Sequence, residues 1–184
     1  MRPIVIMIMG LALFLSLGSA RPISSSDDTG VIIIDKIEIE ILGTSTMGKY
    51  NCSNIFNKRD TIITNSETQN NLKAEIAMNN FECGNKTMNK DLKVTIMADK
   101  FPKSYVTMTH IKSYSTNYKC NLNFLITNKN IKYQDLVLKN SKESLKGSIA
   151  LKFSDLDLVP PTKMAGLIKV KDDIVVNFIL YKKR

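Results

Sequence analysis

The chain has 184 residues and a formal net charge of +9 from 26 basic and 17 acidic side chains, a length that suits one domain able to enclose a sizeable core. The lysines are scattered, with no arginine-rich run and no stripe of lysine and aromatic residues, so the charge excludes an obvious nucleic-acid footprint. One histidine, His110, and three cysteines without CxxC spacing leave almost no ligand set for zinc, and no cofactor is implied.

The N-terminus reads as a secretory leader. Met1 and Arg2 give a small positive region, and an apolar stretch from Ile4 to about Leu17 follows, too short and too interrupted to span a bilayer comfortably. Gly18-Ser19-Ala20 places small residues at a signal-peptidase cut, so residues 1–20 are expected to leave and Arg21 to become the first residue. The alternative is an uncleaved anchor. Removing Arg2 takes the mature charge from +9 to +8. The polar run Ser24-Ser25-Ser26-Asp27-Asp28 belongs to a flexible segment, 21–29, and a single domain is expected over 30–184.

Beyond it the pattern is β. Lys36-Ile37-Glu38-Ile39-Glu40-Ile41 alternates charge with isoleucine and so puts Ile37, Ile39 and Ile41 on one strand face. Weaker strands are expected over Leu72 to Phe81, Ser104 to Ser113, Tyr118 to Thr127 and Ile131 to Leu138, separated by Asn-, Ser- and Lys-rich breaks. Strong alternation returns over Leu145 to Phe153 and over Ile174 to Leu180. One segment departs from this rhythm: Met88, Leu92, Thr95 and Ile96 fall on one helical face, which predicts a short helix over Thr87 to Ala98, with a strand as the alternative. The whole reads as all-β with one short helix, an antiparallel barrel or sandwich.

No catalytic constellation emerges. His110 lies in a strand without a GxSxG nucleophile, and reads as an ordinary strand residue. Glu38 and Glu40 alternate with isoleucines on the outer face, where solvation is the expected role; Asp172-Asp173 reads as a turn before the last strand. Thr44-Ser45-Thr46 reads as a turn whose hydroxyls bond local backbone, or else as a polar mouth for a ligand head group. The chain is expected not to be an enzyme.

Several stretches, taken in order, carry a resemblance. Gly43-Thr44-Ser45-Thr46-Met47-Gly48-Lys49-Tyr50-Asn51-Cys52 resembles the G-T-S-T-L-H-D-W-x-C stretch of YceI-like proteins of Bacteroidetes type. Cys83 to Lys90 with Ala98-Asp99-Lys100-Phe101-Pro102 is similar to that family's middle segment. Leu151-Lys152-Phe153-Ser154-Asp155-Leu156, then Pro160-Pro161-Thr162 and Gly166-Leu167-Ile168-Lys169, resembles its closing pattern. The departures are Gly48-Lys49-Tyr50 in place of His-Asp-Trp and Val94 or Ile96 in place of Leu in the helical segment, and they bear on the ligand more than on the fold. The resemblance implies a single lipocalin-like β-barrel of about eight strands whose interior holds a long apolar molecule such as a polyisoprenoid. It also pairs Cys52 with Cys83, the two cysteines inside the family-like motifs, and leaves Cys120 a buried thiol.

Strand alternation then names the expected ligand-lining faces: Ile37, Ile39 and Ile41; Leu122, Phe124 and Ile126; Ile149, Leu151 and Phe153; Ile174, Val176 and Phe178. The expected function is non-catalytic binding, in the periplasm or after secretion, of a lipid-like, isoprenoid-class amphiphile without stable membrane insertion. The alternative is a barrel filled by its own side chains that serves as a protein-interaction or structural module. An open apolar volume above ~300 Å3 separates the two.

Overall fold

Isoleucines spaced two apart leave water together only by facing one side of a strand, and strands so patterned curl their apolar faces toward a common axis. The computed structural model describes residues 30–66 and 71–183; the expected leader and the segment 21–29 lie outside the described residues. The strands are β1 (Val31–Ser45), β2 (Gly48–Ile63), β3 (Leu72–Ala77), β4 (Lys103–Tyr114), β5 (Asn117–Ile126), β6 (Lys129–Asn140), β7 (Ser144–Lys152), β8 (Thr162–Lys163) and β9 (Ile168–Lys182), with one α-helix, α1 (Lys86–Thr95). They form an antiparallel sheet in the order β2-β1-β9-β7-β6-β5-β4-β3, with the short β8 added to β9. Between β2 and the segment that follows β3, the backbones of Ser53 and Glu82 exchange two hydrogen bonds of 2.9 and 2.8 Å and nearly close an eight-stranded barrel.

Three bulges keep the apolar faces pointing inward. The run Val31-Ile32-Ile33-Ile34 would be out of phase with Ile37, Ile39 and Ile41, but β1 carries an extra residue at Asp35 opposite β9, so Ile32 and Ile34 are buried as well. In β4 the extra residue is His110, and the inward set switches from Met108 to Ile111; in β6 it is Asp135, between Tyr133 and Leu136. Both adopt the left-handed backbone, with φ of 54° and 52°. His110 is thus a bulge residue with an exposed ring, its Nδ1 3.1 Å from Thr109 Oγ1.

The helix forms where a helical face was expected. Asn85 caps it by accepting from the Met88 amide at 2.9 Å, and Leu92 and Thr95 turn inward. It ends earlier than Ala98, as Ile96 caps it and Met97 takes a φ of 50°. Two other expectations are corrected. The strand β2 has no counterpart in the sequence reading, because its inward positions include Asn54, Lys58 and Asp60, which break the apolar alternation. Asp172-Asp173 is not a turn but part of β9, at the irregularity where β1 pairing skips from Val170 to Ile174.

Candidate functional site

The twelve side chains expected to line a ligand all lie in the core. Ile37, Leu122, Ile149 and Phe178 are packed against their neighbours on every side, and Phe124 meets Phe178 edge to face with ring centroids 5.5 Å apart. The other eight, Ile39, Ile41, Phe124, Ile126, Leu151, Phe153, Ile174 and Val176, border a void on the axis of about 20 Å3. That is room for roughly one water, and its lining is apolar, so it stays dry. In this conformation the axis is packed.

An apolar open volume lies at one end of the barrel, and a second, polar one of about 470 Å3 lies by the β4 and β6 bulges, lined by His110, Lys112, Lys119 and Asp135. A cleft of about 640 Å3 is bounded by the start of β2 (Gly48, Lys49, Tyr50, Cys52), by α1 and its cap (Asn85, Thr87, Met88, Asp91, Leu92, Thr95) and by the segment carrying Pro161, Lys163, Met164, Ile168 and Val170. Ser45 and Met47 complete its rim, and Phe153 forms its floor. Phe153 borders the axial void too, so one ring separates the cleft from the interior. The lining is mainly apolar, and the volume falls within the usual ~300–1,000 Å3 of ligand sites. No alternation or motif marks the cleft as a site, although the helical face of Met88, Leu92 and Thr95 that walls it is legible in the sequence.

Each wall has a local cause. The Cys52–Cys83 disulfide joins β2 to the segment leading into α1, with 4.0 Å between the Cα atoms, and the Cys83 amide donates to Asn89 Oδ1 at 2.6 Å. Just past the third wall, Asp172 ties β9 to the residue after Phe153: its carboxylate accepts from the amide and hydroxyl of Ser154 at 2.9 and 2.5 Å. Those bonds hold its carboxyl below the usual carboxylate range. Across the cleft, Lys163 pairs with Asp91 at 2.7 Å, linking the closing segment to the helix. The hydroxyl of Thr46 donates to the Leu167 carbonyl at 2.9 Å, and that of Ser45 to the Gly48 carbonyl at 3.1 Å. Two hydroxyls of the cluster, Ser45 and Thr46, are therefore engaged by backbone, while Ser45 also sits on the cleft rim.

Two polar features stand out. The Tyr50 hydroxyl is buried at the cleft without a hydrogen-bond partner, and burial pushes its pKa up to about 12. On the outer face, the carboxylates are less solvated than their alternation implied. Glu38 is only 9% exposed and accepts from the Tyr181 hydroxyl at 2.5 Å, while Glu40 accepts from Asn177 at 2.9 Å and pairs with Lys146 at 3.4 Å. This network lies on the side of the sheet away from the cleft lining, and within it the Ser148 hydroxyl donates to Asn177 Oδ1 at 2.7 Å. Cys120 is a buried free thiol. Among the described residues no group of three or more metal-ligating side chains converges, and no helix is long and apolar enough to cross a membrane.

No family model matches the sequence, and no curated protein matches it. Solved structures do resemble the fold. A polyisoprenoid-binding domain from Saccharophagus degradans superposes with a TM-score of 0.52 at 10% identity, covering 85% of this chain and 99% of that one. A YceI protein from Campylobacter jejuni gives a TM-score of 0.45 at 14% identity, covering 85% of this chain and 86% of its own. At such identities the first likeness is one of fold: the chain is built on the same kind of barrel as the polyisoprenoid-binding domain.

Proposed function

We propose that this barrel is an exported, non-catalytic binding protein for a lipid-like apolar molecule of the isoprenoid class, held in the end cleft. The observation that carries the reading is the apolar cleft of about 640 Å3 walled by β2, α1 and the 161–170 segment. The ligand class is supported by the shared fold of a polyisoprenoid-binding domain and by the ordered motif resemblance. Export is supported by the leader pattern before Arg21 and by a disulfide that suits an oxidising compartment. In this proposal the apolar end of the ligand lies over Phe153, and a rotation of that ring admits it toward the axial residues Ile39, Ile41, Leu151 and Val176. Burial of about ten methylenes at ~0.8 kcal/mol each would offset much of the entropic cost of association, without a strong polar anchor.

Mass spectrometry of lipids extracted from gently purified protein tests the ligand directly, with titration of a fluorescent farnesyl analogue alongside. Met88→Asp, on the half-buried helical wall, is expected to weaken uptake at least about tenfold with an unchanged circular dichroism spectrum. Phe153→Leu is expected to shift the preference toward longer chains. The packed axis is the observation that favours a protein-interaction module instead. Absence of both co-purified lipid and analogue binding would select that second reading.

A further inference from the structure

The rim of the cleft carries large apolar side chains that cover nothing. Met47 is 77% exposed, Met164 67% and Leu167 73%. They come from two separate segments fastened together: the Thr46 amide donates to the Lys169 carbonyl at 3.0 Å, and the Thr46 hydroxyl to the Leu167 carbonyl at 2.9 Å. The Leu167 amide in turn donates to the Met164 carbonyl at 3.2 Å, closing a turn whose residues 164–166 are all left-handed, with φ of 51°, 51° and 96°. The exposed methionines and leucine therefore share one ledge at the open end of the barrel.

The same ledge is basic. Lys49 lines the cleft, and Lys169 flanks Leu167; both are exposed, and neither enters an ion pair among the described residues. Lys163 stands beside them with its charge matched by Asp91. Apolar side chains beside two unpaired lysines suit one partner above others, a bilayer surface with anionic headgroups. The apolar tips enter the headgroup boundary, and the ammonium groups meet phosphates. The geometry points to this ledge as a peripheral membrane-docking surface that turns the mouth of the cleft toward the lipid. It extends the lipid-binding reading, because an apolar ligand then passes between bilayer and cleft without crossing water.

Vesicle flotation of the full chain tests this, with phosphatidylcholine vesicles and with vesicles that also contain phosphatidylglycerol. Binding is expected to the anionic vesicles and to fall with salt. Leu167→Ser is expected to weaken it about tenfold and Lys169→Glu roughly fivefold. Lys112→Glu makes the same charge change in β4 at the far end of the barrel, where Ser113 bonds to Asn65, and is expected to leave binding unchanged. Neither Leu167 nor Lys169 lines the cleft, so both variants should still take up the farnesyl analogue in vesicle-free solution, which also reports that they are folded. Loss of flotation in the two ledge variants alone supports the docking surface. No flotation by the parent chain, or equal loss with Lys112→Glu, overturns it and leaves the ledge to a protein partner. Flotation that depends on the ledge while no analogue binds in solution keeps the docking surface and removes only the ligand reading.

Discussion

Gly43 faces Tyr50 directly in the β1–β2 ladder, and the ring lies flat over the space where a side chain would stand. A Cβ at Gly43 would come within 2.2 Å of the Tyr50 hydroxyl oxygen and 2.3 Å of the ring carbon that bears it. The glycine is thus what lets the ring lie between strand and cleft. Gly43→Ala should cost about 1–3 kcal/mol through overpacking, and Tyr50→Ala should largely restore tolerance to it. Thermal melts of the two single variants and the double variant check this, with a coupling of about 0.5–3 kcal/mol expected; additive losses would show that the ring does not depend on the glycine. Gly147 has a parallel role in β7, where an added Cβ would stand 2.8 Å from a Leu138 methyl.

At the level of elements, α1 and β2 depend on each other. The helix has mediocre propensity because of Val94, Thr95 and the flanking Ile96, and its burial against the barrel end stabilises it more than its backbone does. The disulfide ties it to β2, a strand with few buried apolar side chains to hold it in place. Replacing Cys52 and Cys83 together by serine should remove about 3–4 kcal/mol of stability, the loop-closure entropy of a 31-residue separation. It should also weaken analogue binding, because both the β2 and α1 walls of the cleft lose their link. Urea unfolding of the oxidised, reduced and double-serine proteins tests this; equal midpoints would mean that the bridge constrains nothing. Elsewhere in the barrel, β6 and β7 pair only at Lys139–Lys146 and Asn140–Leu145 before separating. There the Tyr133 hydroxyl takes the Ala150 carbonyl at 2.9 Å, replacing a missing ladder bond.

The molecule as a whole should respond to alkali more than its carboxylates suggest. Cys120 and Tyr50 are pushed up to about 12 by burial, from ordinary values of 9.0 and 10.0. Tyr181 rises to about 12 chiefly through its hydrogen bond to Glu38, then through burial and the nearby carboxylates. Each group holds its proton more tightly folded than unfolded. The resulting stability is complete below about pH 9 and is lost between about 9 and 12 as the unfolded chain ionises first. Melting temperatures should stay level from neutral pH to about 9 and then fall, and Cys120→Ala should blunt the earliest part of the fall. A level profile through pH 12 would contradict this assignment.

The sequence by itself determined which side chains avoid water together. Strict alternation over Lys36 to Ile41, Leu145 to Phe153 and Ile174 to Leu180 placed Ile39, Leu151 and Val176 on buried faces, because strand geometry sends alternate residues to opposite sides whatever their partners are. The helical spacing of Met88, Leu92 and Ile96 was legible for the same local reason. Tertiary structure decided what period cannot encode. Strand β2 is silent in sequence because Asn54 is buried through a 2.8 Å bond to the Ala77 carbonyl, a partner 23 positions away. The bulges at Asp35, His110 and Asp135 arise from neighbouring strands of unequal count, which no single strand records. Whether the barrel is hollow depends on how Phe124, Phe153 and Phe178 fill a shared axis, and the cleft exists only where three segments distant in the chain fail to meet.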